Sequence, residues 1–201
     1  AGSDLQGIKT RADRDGNHFV VNGQKVWISN GQIADLYIIA CKTDPDQGAK
    51  GISLILVEGN RDGFVRGKNL EKIGYKAQDT SELFFENVRV PITNLLGQEG
   101  RGFAHLMQQL SQERLVVAIR CATALETALE ETITYTSERK AFGRSISDFQ
   151  NTRFKLAEVK TLAMVTRAFT DQCIDLHVNG NLSSEDAAAA KLQTTAALNK
   201  G

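Results

Sequence analysis

Neither sign of charge dominates this chain: 24 Lys and Arg stand against 24 Asp and Glu in 201 residues. A net charge of zero gives no electrostatic reason to expect nucleic acid or an acidic membrane surface as partner. No apolar run approaches the ~20 residues of a membrane span. Cysteine is scarce, with Cys41, Cys121 and Cys173 far apart. An odd count without ligand spacing reads as free thiols in a reducing compartment, not as a disulfide framework. His18, His105 and His177 are scattered too, so no metal site is expected. There is no internal repeat, no low-complexity tract, no initiator Met and no signal-like segment. The chain opens on "AGSDLQGIKT" and stops inside a helical pattern, "EDAAAAKLQTTAALNKG", and so reads as a piece of a longer protein. What remains, with 41% hydrophobic residues, is an ordinary soluble globular chain with enough apolar side chains for a real core.

The first half reads as strands. In "HFVVNGQKVWIS", residues 18–29, apolar runs flank Asn22-Gly23, and Asn-Gly between such runs predicts a hairpin because both turn positions need positive φ. "DLYIIAC", "GISLILVE" and "SELFFENVRV" are further β-rich runs, "DPDQGAKG" and "EGNRDG" are turn clusters, and Pro91 closes the last strand. A sandwich or barrel over residues 1–98 is the expectation. The second half switches period. One helical pattern without proline runs from Arg101 to about Lys140, "GRSIS" interrupts it, and a second runs from about Asp148 to His177. Gly180 then stops one helix, and Ser183 or Ser184 starts the next.

Within "HLMQQLSQERLVVAIRCATAL", residues 105–125, apolar side chains recur at Leu106, Leu110, Val117, Cys121 and Ala124. Glu113 takes the slot between Leu110 and Val117. A carboxylate in an apolar setting must pair, stay near water or raise its pKa. A free Glu titrates near ~4.3, and desolvation toward ~6–7 makes it a useful base at neutral pH. The pattern alone leaves two readings open: an ion pair with Arg114 or Arg120, or a catalytic base.

Six motifs in order narrow the choice: "AGSD", "NGQKVWISNG", "KAQDTSELFFENVRVP", "GRGF", "QERL", and "ERKAFG" followed by "FQ". Together they resemble the acyl-CoA dehydrogenase family over the whole chain, and "AQDTSELFF" and "RAFTDQC" look most like its long-chain type. The resemblance implies an α+β fold: an antiparallel β sandwich or barrel domain at residues 1–98, facing flavin and thioester, then part of an antiparallel four-helix bundle at 99–201. It implies removal of an α-proton from an acyl-CoA by a carboxylate, transfer of the β-hydride to FAD, release of a trans-2-enoyl-CoA, and delivery of electrons to an electron-transfer flavoprotein. Long-chain-like members carry the base in an "ER" pair, which Glu113 before Arg114 matches.

Residue by residue, the resemblance assigns Trp27 and Ser29 to the flavin ring, against plain readings as a strand residue and a turn residue. Gly2 and Ser3 match the end of a segment lining flavin and thioester, so Ser3 is a substrate-binding candidate. Arg139 and Phe142 match positions that hold the FAD pyrophosphate and adenine of a neighbouring subunit, and Gln150 an adenosine-side contact. Arginine suits the first role by its fixed fork; otherwise it is a helix-end charge favoured by the dipole. Ala141 replaces a small hydroxyl residue frequent there. Arg114 matches a residue near the CoA end of the substrate. His105 and His177 read as surface or capping residues.

The implied assembly is a homo-oligomer, dimer or tetramer. Its implied location is the cytoplasm of a bacterium or the mitochondrial matrix of a eukaryote. The chain alone is expected to be inactive, because the site is shared among three domains and two subunits. Two other classes compete: an acyl-CoA oxidase on the same scaffold, returning electrons to oxygen, and a non-catalytic fragment that binds acyl-CoA or packs with partners. The intact set of Trp27, Ser29, Glu113 and Arg139 argues against lost function.

Overall fold

A computed structural model describes residues 4–201. The chain forms two compact units, Ala1–Leu106 and Met107–Gly201. The first is built on one six-stranded sheet with β1 (Arg11–Asp15), β2 (His18–Ser29), β3 (Leu36–Lys42), β4 (Ile52–Glu58), β5 (Phe64–Asn69) and β6 (Thr80–Pro91). The spatial order is β4-β3-β1-β2-β6-β5. Every pairing is antiparallel except the short contact of β1 with β3, which is parallel.

The sheet bends back on itself. Tyr37 of β3 and Phe64 of β5 belong to strands separated by three others, yet their ring centroids lie 4.8 Å apart. Inward side chains from both arms fill one core, including Phe19, Val21, Val57, Leu83, Val88 and Val90, all fully buried. The result has two facing layers, as in a sandwich, but one continuous sheet. It does not close into a barrel; among the described residues β4 and β5 are its edges.

Two short strands, β1 and β5, escaped the sequence reading. The predicted hairpin at Asn22-Gly23 does not form either. β2 runs straight through it, and the chain reverses at Gly16-Asn17, where Gly16 has φ 57°. Gly23 does take a positive φ, 141°, but inside a strand, at a register shift against β6. Its lack of a side chain serves close approach: a Cβ there would sit 2.8 Å from Thr10 Cα.

The second unit is helical. α1 (Gly102–Glu138) enters it from the first unit, a hairpin of β7 (Lys140–Ala141) and β8 (Arg144–Ser145) follows, then α2 (Gln150–Val178) and α3 (Ser184–Lys200). Gly102 opens α1 where a side chain would strike the Ile52 carbonyl oxygen at 2.9 Å. Ser183 caps α3, its hydroxyl accepting from Asp186 N–H. Leu115 of α1 shares a core cluster with Cys173 and Ala190, while Leu125 shares one with Ala163 and Ala197. Rising numbers on α1 and α3 meet falling numbers on α2, so α2 is antiparallel to both. Glu126 and Arg167 tie α1 to α2 with paired hydrogen bonds. No helix of the described residues is long and apolar enough to cross a membrane.

Candidate functional site

β2 carries the first candidates because it is irregular where they stand. Lys25 pairs with Leu83 and Ile28 with Ser81, so β2 spends three steps where β6 spends two. The extra residue makes a β-bulge, a device that re-aims side chains. Trp27 sits in it with φ 63° and is 63% exposed. A left-handed conformation costs an ordinary residue roughly 1–2 kcal/mol. A large apolar ring held outward at that cost suits a flat aromatic ligand on its face.

Ser29 follows, exposed, at the end of the strand. The turn after it is fixed from several sides. Asp79 accepts from Gln32 N–H at 2.7 Å, and the Gln32 side chain donates to Gly67 O and Ser81 Oγ. The Tyr37 hydroxyl is 2.8 Å from both Gly31 O and Ala34 O, and Arg66 donates to that hydroxyl and to Ala34 O. The sequence reading missed these braces. Their signal was polar side chains at core-facing or turn positions of "NGQ" and "AQDTS".

Two electrostatic features complete this unit. Burial pushes the Lys25 ammonium below its usual range and the Cys41 thiol up to about 12, so Cys41 is a poor nucleophile. Hydrogen bonds from Arg61, with lesser help from Asn94, hold Glu58 down at about 2.

In the helical unit Glu113 stands away from the stripe of α1 that α2 and α3 cover. The buried stripe of α1 is Leu115, Ala118, Ala122, Leu125 and Leu129. At 100° per residue, Ala122 is about 180° round the helix from Glu113. Glu113 is exposed. Leu110 and Val117, one turn to each side, are half-buried, and Cys121 is buried. Periodicity found a real apolar arc, but α1 carries two, and α2 and α3 pack on the other one. Arg114 is half-buried, and no ion pair joins it to Glu113 among the described residues.

Arg139, Phe142 and Gln150 gather around the hairpin between α1 and α2. Phe142 and Gly143 form its tip with φ 52° and 79°. Phe142 is 96% exposed and, like Trp27 and Tyr75, is an outward aromatic in a left-handed conformation. Its ring meets Phe149 edge-on at 6.3 Å, and Arg144 lies 4.0 Å over the Phe149 ring. Arg139, Lys140 and Arg144 are all exposed, as is Gln150 at the start of α2. Exposed cations beside an exposed aromatic ring fit a phosphate joined to a purine.

Ser3 lies outside the described residues. His177 is exposed in the last turn of α2, and its carbonyl accepts from Gly180 N–H. His105 is half-buried, with Nε2 buried and unpartnered. Among the described residues no cluster of His, Cys, Asp or Glu has the geometry of a metal site. The helical unit also holds a cavity of about 490 Å³, lined by Leu125, Leu129, Leu156, Val159 and Leu162 among others. Its α1 wall starts about three turns beyond Glu113, so it does not enclose the candidate base.

Comparison with known proteins supplies the family. Residues 1–88 match the model of the acyl-CoA dehydrogenase middle domain and residues 100–200 that of the acyl-CoA dehydrogenase C-terminal domain. The chain is 50% identical over 193 residues to the mitochondrial long-chain specific acyl-CoA dehydrogenase of Rattus norvegicus, covering 95% of this chain and 45% of that protein. It is 40% identical to an acyl-CoA dehydrogenase of Bacillus subtilis, covering 95% and 50%. The crystal structure of acyl-CoA dehydrogenase from Geobacillus kaustophilus superposes with a TM-score of 0.95 at 48% identity, covering 98% of this chain and 53% of that one. A probable acyl-CoA dehydrogenase from Mycobacterium abscessus gives 0.96 at 36% identity, covering 100% and 53%. The chain thus spans about half the length of the curated relatives it matches. Both halves of the sequence match one family in order, and the chain belongs to the acyl-CoA dehydrogenases.

Proposed function

We propose that this chain is the flavin-facing β part, residues 1–98, and the first helical part, residues 99–201, of an enzyme that dehydrogenates an acyl-CoA thioester to a trans-2-enoyl-CoA. The observation that carries the reading is Trp27, an exposed indole held in a left-handed conformation by a bulge. FAD, when bound, supplies the acceptor for the hydride that leaves the β-carbon. Trp27 offers it a ring face and Ser29 a hydroxyl.

Glu113 takes the proton from the α-carbon. The half-buried Leu110 and Val117 beside it supply an apolar wall for the acyl chain. Arg114 and Ser3 hold the substrate, Arg114 near its CoA end. Arg139, Phe142 and Gln150 hold the pyrophosphate, adenine and adenosine side of a second subunit's cofactor. Helix length supports that division. Arg139 follows the last residue of the helix that carries Glu113, and a rise of 1.5 Å per residue puts roughly 39 Å between them. One dinucleotide does not span that. The assembly is therefore a homo-oligomer, dimer or tetramer, that passes electrons to an electron-transfer flavoprotein. It works in a reducing compartment, the cytoplasm of a bacterium or the mitochondrial matrix, and the chain on its own is inactive.

The test is Glu113→Gln in a full-length protein carrying this sequence. FAD content should be unchanged while anaerobic bleaching of the flavin by acyl-CoA slows by ~10²–10⁴ or more, the usual contribution of a general base. Bleaching at a near-normal rate removes Glu113 from that role.

A further inference from the structure

Lys25 is out of place by every local rule. It pairs directly with Leu83, and directly paired residues of antiparallel strands point to the same face of the sheet. Leu83 is fully buried in the β core, so Lys25 occupies an inward position that the pattern reserves for an apolar side chain. Burial pushes its ammonium below the usual range. No acidic residue of the chain is hydrogen-bonded to it among the described residues. Its partner is a main-chain carbonyl, Ala40 O, at 2.6 Å.

The topology explains why that carbonyl needs a donor. β1 lies between β2 and β3 but is short. Its lead-in residue Thr10 bridges the two neighbours, by main chain on one side and side chain on the other: Thr10 O accepts from Lys42 N–H at 2.8 Å, and Thr10 Oγ1 donates to Gln24 O at 3.1 Å. Ala40 is two residues back along β3 from Lys42, so its main-chain groups point the same way, toward a strand that no longer runs there. Lys25 reaches across and fills the missing place. It does so one residue before the bulge that turns Trp27 outward.

We propose that Lys25 is a positioning residue for Trp27: by tying β2 to the Ala40 carbonyl of β3 it locks the bulge, and with it the orientation of the indole. The functional meaning rests on the flavin reading above; the mechanical statement does not. A stretch of β2 that could slip by one residue would exchange the two faces of the strand. The tether fixes one end of the bulge, and the main-chain bond from Asn30 N–H to Asp79 O fixes the other.

Trp27 is the only tryptophan in the 201-residue chain, so its spectra report the bulge directly. The experiment compares Lys25→Met, which keeps the length and apolar stem, with Lys25→Arg, which keeps a cationic donor. The near-ultraviolet circular dichroism of the indole and the anisotropy of its emission are read alongside thermal unfolding followed in the far ultraviolet. Lys25→Met should lose about half or more of the indole band and lower the anisotropy, as a side chain freed on the nanosecond scale does. Its melting temperature should hold or rise, because the substitution places an apolar group in an apolar site. Lys25→Arg should restore both indole signals. An unchanged indole band in Lys25→Met overturns the proposal, as does failure of Lys25→Arg to restore it. If Lys25→Met loses the β fold, Lys25→Gln is the second variant. Loss of the fold there too makes Lys25 a fold determinant and also overturns the proposal, whereas a folded Lys25→Gln with a weakened indole band supports it. No FAD enters these measurements, so the flavin reading is decided separately by the bleaching experiment.

Discussion

Removing one hydroxyl, by Tyr37→Phe, should loosen the β unit out of proportion to the atom lost. The Tyr37 side chain is the meeting point of three segments: β3, the turn after Ser29, and β5. Tyr37 is 5% exposed, so water does not replace what it gives up. The hydroxyl accepts from Arg66 Nε at 3.0 Å and donates to the turn carbonyls Gly31 O and Ala34 O, each at 2.8 Å. Having one proton, it satisfies the two carbonyls as a shared pair, and a net neutral bond of that kind contributes about 1 kcal/mol. The bond to the guanidinium contributes about 1.5–3 kcal/mol in the general case. Here it falls at the low end, because Arg66 keeps Gly59 O and Ala34 O as acceptors. Phenylalanine keeps the ring contact with Phe64, so no cavity term arises. The sum is about 2–3 kcal/mol. Urea unfolding followed by Trp27 emission reads the β unit, and with a slope of ~1.5 kcal/mol/M the midpoint should fall by roughly 1.5 M. A fall corresponding to less than about 0.5 kcal/mol, the level of an unremarkable surface change, would show that the hydroxyl is not the tie it is argued to be.

Two further outcomes follow from burial and charge. Glu58 is held at about 2 in the folded chain against 4.5 for the free group, so its stabilising effect is complete above about 4.5 and disappears as pH falls toward 2. With 39% of its side chain exposed, solvent screening keeps the effect to about 1 kcal/mol. Arg61→Met should therefore be less stable than the wild type in urea titrations at pH 7, and the gap should narrow as pH falls through 2 to what the Arg61 bond to Arg89 O contributes; a gap of unchanged size in acid contradicts the assignment. Leu83→Ala and Leu125→Ala remove the same atoms from sites 0% and 1% exposed. Leu83 lies in a closed core and should cost about 4 kcal/mol, read by Trp27 emission, whereas Leu125 borders an existing cavity and should cost about 2.5–3 kcal/mol, read by helical circular dichroism. The reverse order would mean that the cavity is not a relaxation space for α1.

How much of this was legible in the sequence differs from element to element. The long helix, its interruption before Asp148, the stop at Gly180 and the Ser183 cap all follow from local chemistry: period, the conformational freedom of glycine, and a hydroxyl that satisfies an orphan N–H. The family resemblance was legible too, since motif order is a property of the chain. The Asn22-Gly23 turn was misread because Asn-Gly reports only that positive φ is tolerated. Whether the chain reverses or bulges there depends on Thr10 and β6, which are distant in sequence.

The face of Glu113 was beyond the sequence for a related reason. An apolar arc on α1 is visible in the residues, but which of two arcs meets α2 and α3 is settled by packing. Lys25 makes the contrast sharpest. Its sequence neighbourhood offers no carboxylate to explain a lysine in a strand, and the explanation is a carbonyl on another strand, left open because β1 is short. Residue types and spacing determine local conformation; the partners that make a buried charge or a strained tryptophan tolerable are assembled only when strands far apart in the chain come together.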